Sequence, residues 1–249
     1  MIGAGQVFGW EFLGTAMLLL FGNGVCAANA LRTSAARGSG WLVIALGWGL
    51  AVFIGASVAD ISGGHLNPAV TLMVAVQGNV AWGLVPFYIA GQLCGAMVGA
   101  LLAWVVFKQM FDANNVDDTG KVTHANRATG SIFFTQPAHN HSGWNLATEF
   151  IGTFALLAFI AFAPGGDAVL GSLKYFAVSF IVVAIGLSLG TPTGYAINPA
   201  RDLGPRLMYS FALPIKDKGN PNWSYAWIPI LGPCLAAFAV GLLSLVLSS

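Results

Sequence analysis

Six long apolar stretches of this chain, 12–31, 38–59, 61–107, 150–166, 175–200 and 219–249, contain no Asp, Glu, Lys or Arg. A helix needs about 20 apolar residues to cross a bilayer, so most of these stretches supply one span each. Charged residues make up 8% of the 249, and hydrophobic residues 57%. A soluble domain carries about 25% charged residues, and so few charges cannot coat a domain of this size. Ten Lys and Arg against nine Asp and Glu leave a net charge of +1. That gives no basic surplus with which to bind nucleic acid. The chain reads as an all-α, multi-pass membrane protein that partners the lipid bilayer.

Full helices are predicted near 8–30, 40–59, 83–107, 146–163, 173–190 and 226–247. Glu11 interrupts the N-terminal region and no basic residue precedes it, so the first segment reads as a retained span and not a cleaved leader. The stretch 61–107 is too long for one span. It contains Ser62-Gly63-Gly64-His65-Leu66-Asn67-Pro68, which cannot lie mid-helix facing lipid, because Pro lacks a donor and Gly weakens helices. The stretch 175–200 ends in a similar break, Gly190 to Pro199. Asn is a favoured N-cap and Pro suits the first helical position, so each Asn-Pro should start a helix. Residues 68–76 and 199–208 would each be about 13–15 Å long at 1.5 Å per residue, roughly half a span.

The halves repeat. Glu11-Phe12-Leu13-Gly14-Thr15 recurs as Glu149-Phe150-Ile151-Gly152-Thr153, and Asn67-Pro68-Ala69 recurs in the same order as Asn198-Pro199-Ala200. An odd number of crossings separates the copies, so the repeats should be inverted. The expected organisation is one domain, 1–249, with repeats 1–108 and 145–249 joined by a polar loop, 109–144. That loop is long enough to hold a short helix over a pore mouth.

Irregular backbone at membrane depth survives only when buried in protein or lining a watery cavity. Inversion should bring the starts of the two half-helices together, positive dipole ends facing. Each Asn could then cap with its carbonyl oxygen while its NH2 points into a passage. The preceding residues, Gly63, Gly64, His65 and Gly194, Tyr195, Ala196, would line it with carbonyl acceptors. Neutral hydroxyl-bearing solutes can exchange hydrogen bonds along such a ladder, whereas hydrated cations meet a repulsive centre. A kinked helix would account for one such motif; the duplicated order argues against it.

These residues resemble a known family. Ser62 to Thr71 and Gly194 to Arg206 are similar to the two pore loops of the major intrinsic proteins, the aquaporins. The resemblance extends over nearly the whole chain. Asp202 after Asn-Pro-Ala-Arg, Arg206, and Pro229-Ile230 resemble the glycerol-facilitator branch. The resemblance implies a selectivity filter of Trp48, Gly186, Tyr195 and Arg201. Water-selective members usually have His at the position of Gly186, so this Gly is expected to leave that volume empty. Glycerol channels usually have Phe where this chain has Tyr195. Trp48 and Tyr195 would form an apolar corner for the carbon side of a polyol, and Arg201, with five donors in a rigid fork, would bind its hydroxyls.

Glu11 and Glu149 are intramembrane carboxylates, which are costly unless satisfied internally. They are expected to hold the broken loops by accepting backbone N–H groups. Asp202 is expected to anchor locally too, orienting Arg201 or pairing with Arg206. The implied function is a passive channel for glycerol and other small neutral solutes, with water, that excludes ions and protons. The alternatives are a water-selective channel and, from another class, an ion-coupled secondary transporter. No nucleophile–base pair or metal set points to an enzyme, and no cofactor is implied.

The resemblance also implies a homotetramer in the cell membrane with cytoplasmic termini. Arg32, Arg37, Lys108, Lys121, Arg127, Lys216 and Lys218 fall together on the other side, which the positive-inside rule would make cytoplasmic. Among weaker signals, Gly91, Gly95 and Gly99 suit close helix packing. His65 reads as a fixed hydrogen-bonding ring, His139 and His141 as solvated loop residues, and Cys26, Cys94 and Cys234 as buried small residues.

Overall fold

A computed structural model describes residues 2–163 and 174–247. The long helices are α1 (Ala4–Ala30), α2 (Trp41–Val58), α4 (Val85–Val106), α7 (Ser142–Phe162), α8 (Lys174–Leu189) and α10 (Ile228–Leu247). Five of them are long and apolar enough to cross a membrane, and α8 is a shorter apolar helix of 16 residues. Leu173, where the predicted fifth span begins, lies outside the described residues. The half-helices are α3 (Pro68–Val76) and α9 (Pro199–Leu207).

The half-helices start for the reason their sequences suggest. Asn67 is extended, and its Oδ1 accepts from the Ala69 N–H at 2.9 Å. Asn198 does the same for Ala200 at 3.0 Å and Arg201 at 3.2 Å. Each thereby satisfies N–H groups that a helix start leaves free. The second half-helix runs beyond its expected end at 208, into a π-helical turn, Met208–Ala212. Lys218 explains the extension. Its Nζ donates to the carbonyls of Tyr209 at 2.5 Å, Ser210 at 3.2 Å and Leu213 at 3.0 Å, so carbonyls at the end of the turn take a cation.

The long helices pair chiefly as α1 with α4, α1 with α2, α7 with α10 and α2 with α8. A Cβ on Gly91, Gly95 or Gly99 would collide with the carbonyl oxygens of Phe8, Phe12 and Ala16, so α4 lies directly on the α1 backbone. The second half has a matching contact. Gly91 packs on Phe8, Glu11 and Phe12; Gly232 packs on Leu146, Glu149 and Phe150, and these three contact residues each lie 138 positions after their counterparts in the first half. Gly14 faces the Leu66 side chain, and Gly152 faces that of Ile197. The repeated Glu-Phe-x-Gly-Thr therefore places a Gly against the residue before each Asn-Pro-Ala.

Large apolar side chains such as Leu46, Leu50, Phe180 and Leu242 face outward, while Glu11, Glu149, Asp202 and Arg206 are buried. This suits a protein whose solvent is hydrocarbon. The cysteine expectation needs correcting in one place: Cys26 is buried and Cys234 half-buried, but Cys94 is exposed on the outside of α4. A small apolar thiol needs no protein cover where lipid supplies it.

The polar connection holds two short helices, α5 (Lys108–Ala113) and α6 (Gly130–Phe133), and a 3₁₀ turn, Ala125–Ala128. It is pinned to the segment after α9. Asn115 and Asn126 both donate to the Lys216 carbonyl, at 3.1 and 3.0 Å. His124 and Arg127 both bond Asp217, and these bonds, the one from His124 foremost, hold its carboxyl below the usual carboxylate range.

Candidate pore and its two narrow points

The loops before α3 and α9 cannot form regular hydrogen bonds, since several residues take left-handed backbone. Gly63 and Gly64 do so at φ 92° and 62°, and Leu66 at 55°. In the second loop Gly194, Tyr195 and Ile197 do so at 80°, 39° and 44°. Such conformations are costly for Leu, Tyr and Ile and need outside partners. Glu11 accepts from the N–H groups of His65 at 3.1 Å and Leu66 at 2.7 Å, from Ser62 Oγ at 2.6 Å and from Gln92 Nε2 at 2.8 Å. Glu149 accepts from the N–H groups of Ala196 at 3.0 Å and Ile197 at 2.9 Å. Each carboxylate thus grips the two residues immediately preceding its Asn.

The loops are also tied to each other. Asn67 Nδ2 donates to the Ile197 carbonyl and Asn198 Nδ2 to the Leu66 carbonyl, both at 2.8 Å. The bonds are reciprocal, so the starts of α3 and α9 are held side by side. The expectation that each NH2 points wholly into the passage needs correcting. One of its hydrogens is bound across the seam, because the Leu66 and Ile197 carbonyls would otherwise be buried without a donor. The second hydrogen of each amide remains for an occupant.

A cavity of about 210 Å³ adjoins this seam. Asn67, Asn198, Gly63, Gly64, His65 and Ala196 all line it. The His65 ring is fixed: Nδ1 lies 3.0 Å from Thr71 Oγ1, and the ring stacks on Tyr88 at 4.5 Å. A second cavity, of about 240 Å³, includes Cys26, Trp41, Thr135 and Gly194 in its wall. Trp48, Tyr195 and Arg201 line both cavities. These three side chains therefore form the partition between two chambers.

One detail of the partition differs from expectation, and a second adds to it. The volume at Gly186 is not empty, and Gly186 lines neither cavity. A Cβ there would lie 3.0 Å from Tyr195 Cζ and 3.1 Å from its hydroxyl; the Tyr195 ring fills the space. Arg201 is itself packed on one wall of the expected corner. Its Cζ is 3.8 Å from the Trp48 ring centroid. A buried guanidinium gains from an aromatic face, and the hydrogen bond described for this side chain goes to the Phe133 carbonyl at 3.2 Å. Its other donors have no hydrogen-bond partner among the described residues and can meet whatever occupies the chambers.

Asp202 resolves between its two expected partners. It bonds Arg206, at 2.9 Å to Nε and 2.7 Å to Nη2, and its other oxygen accepts from the Thr135 N–H at 2.8 Å and Oγ1 at 2.6 Å. Arg206 also donates to the carbonyls of Thr135 and Asn222, both at 3.1 Å. Phe133 and Thr135, which hold these arginines, were not among the predicted residues, and a polar connection carries no periodicity that would single them out. Gln92, Tyr88 and Ser62 were also missed. Gln92 had a readable signal, as the one amide side chain in the apolar span 83–107.

The sequence profile described as major intrinsic protein matches residues 5–244. The chain is 46% identical over 242 residues to a glycerol uptake facilitator protein of Streptococcus pneumoniae, covering 96% of this chain and 98% of that one. It is 44% identical to a glycerol uptake facilitator protein of Bacillus subtilis, covering 92% and 80%. The X-ray structure of the aquaglyceroporin from Plasmodium falciparum superposes with a TM-score of 0.79 at 29% identity, covering 96% of this chain and 95% of that one.

Proposed function

This chain belongs to the major intrinsic protein family, and from that premise we propose that it is a passive membrane channel for glycerol and similar small neutral solutes, with water. The observation that carries this reading is the partition that Trp48, Tyr195 and Arg201 form between the two chambers. It combines two aromatic surfaces with a guanidinium fork. A polyol has a carbon face and a hydroxyl face, so it can meet both at once, whereas a hydrated ion finds no replacement for its shell. The fork's free donors take the hydroxyls. Binding must stay weak, because a pore has to release what it admits.

In this reading Trp48, Gly186, Tyr195 and Arg201 form the selectivity filter, with Gly186 acting through the Tyr195 ring it receives. Asn67, Pro68, Ala69, Asn198, Pro199 and Ala200 form the central constriction. There the positive ends of α3 and α9 oppose cations. Glu11, Glu149 and Asp202 keep the loops in shape. The pore is built from two inverted repeats, 1–108 and 145–249, joined by 109–144. The protein acts without catalysis, as a homotetramer in the cell membrane with cytoplasmic termini.

Proteoliposomes test the reading by light scattering. Glycerol should enter protein-bearing vesicles much faster than empty ones, without saturation or dependence on an ion gradient. Fast water flux with glycerol excluded would overturn it in favour of a water-selective channel, and gradient coupling in favour of a transporter.

Gly186→His should lower glycerol flux more than water flux. The new imidazole must displace the Tyr195 ring toward the chamber. Overpacking of this kind costs about 1–3 kcal/mol, or roughly tenfold in glycerol rate. An unchanged ratio of glycerol to water flux would count against the placement of Gly186 behind the filter.

A further inference from the structure

The Tyr195 ring fixes one wall of the partition, yet no hydrogen bond fixes the ring. Its hydroxyl is buried without a hydrogen-bond partner among the described residues. Its position therefore depends on packing alone. The ring lies along one side of α8 and its C-terminal extension. A Cβ at Gly190 would come within 2.6 Å of Tyr195 Cδ1, and one at Gly186 within 3.0 Å of Cζ. The two glycines, one helical turn apart, make a slot the depth of a side chain.

Trp41, the first residue of α2, closes the slot. Its indole Nε1 donates to the Gly186 carbonyl at 2.7 Å. Its ring meets the Tyr195 ring edge-on, at 5.7 Å between centroids and 71° between planes. Trp41 lines the second cavity and not the first, whereas Tyr195 lines both. So Trp41 stands just outside the partition, bonded to the wall of the slot and pressed against its occupant.

We propose that Trp41 is a positioning residue of the filter: bonded to Gly186 and abutting Tyr195, it keeps the Tyr195 ring seated on α8 and so sets the largest polyol that the passage admits. This rests on the channel reading above and adds a size determinant that acts through the Tyr195 ring. Without Trp41 the ring can tilt out of the partition toward the vacated space, and the passage widens.

The test compares xylitol and glycerol entry into proteoliposomes bearing the wild type, Trp41→Ala, Trp41→Phe, Gly186→Ala, and Trp41→Ala with Gly186→Ala. Aromatic pairs of this geometry carry enough energy to shift a ratio by about two- to tenfold. Trp41→Ala should raise the xylitol-to-glycerol ratio within that range. Trp41→Phe keeps an aromatic edge but loses the bond to Gly186, and should raise it by less. Gly186→Ala should lower the ratio, and adding Trp41→Ala should restore it, since the two act on one ring. A merely structural role would lower both fluxes together and leave the ratio unmoved. An unmoved ratio in Trp41→Ala, or in Trp41→Phe if the alanine variant fails to insert, overturns the proposal while leaving the channel reading intact. A wild type that passes no glycerol overturns both.

Discussion

Replacing Arg206 by Met should destabilise the protein by about 3–5 kcal/mol, the usual cost of stripping one partner from a buried ion pair. Asp202 and Arg206 are both buried, at 1% and 0% exposure. Arg206 Nε and Nη2 grip Asp202, Nη2 reaches the Thr135 carbonyl, and Nη1 reaches the carbonyls of Pro221 and Asn222. Its guanidinium also lies over the Phe134 ring at 4.2 Å. Removing it leaves an uncompensated carboxylate, strips the Thr135 and Pro221 carbonyls of this donor, and leaves the Asn222 carbonyl with the Tyr225 N–H alone. Thermal unfolding of the detergent-solubilised protein reads the loss. The double replacement Arg206→Met with Asp202→Leu should recover part of it, because no lone charge remains. A single variant as stable as the wild type would show that the pair contributes nothing net.

Glu149→Gln should cut glycerol flux by tenfold or more with little change in side-chain volume. The two oxygens of Glu149 each accept one loop N–H, from Ala196 and Ile197. An amide has one acceptor oxygen and one NH2 group, so a donor would face one of those N–H groups. An unsatisfied buried donor costs about 1–3 kcal/mol, and it would fall on a loop that already holds Tyr195 and Ile197 in left-handed backbone. The loop should relax, and Tyr195 leave the partition with it. Light-scattering rates at matched protein density decide the matter. Wild-type rates in the glutamine variant would mean that the loop keeps its shape without this carboxylate.

The spans and half-helices were legible because membrane burial imposes simple patterns. Charge-free length marks a span, and Asn-Pro marks a helix start that can stand alone in an apolar setting. That Gly91, Gly95 and Gly99 mark a close helix contact was legible from their spacing, but that the partner is the α1 backbone was not. The filter was legible only through resemblance, since nothing local to Trp48 or Gly186 places them near Arg201. What the sequence hid is side-chain direction. Whether Tyr195 points into the passage or back onto α8 depends on Gly186, Gly190 and Trp41, residues distant in the chain that act together. The extension of α9 was hidden likewise, because it depends on Lys218 folding back onto carbonyls within its own neighbourhood. Thr135 could not be singled out because a polar connection carries no pattern for its role.

The reciprocal bonds of Asn67 and Asn198 bear on how the protein is made. The Leu66 carbonyl receives its donor from a residue 132 positions later, and Asn67 finds its acceptor 130 positions later. At about 5–20 residues per second, a chain leaving the ribosome carries the first re-entrant loop unfinished for on the order of ten seconds. The early half holds one margin of the aqueous route and none of the other. A nascent or truncated product therefore lacks the second half of the conduit's wall, which is complete only with the closing of the last seam.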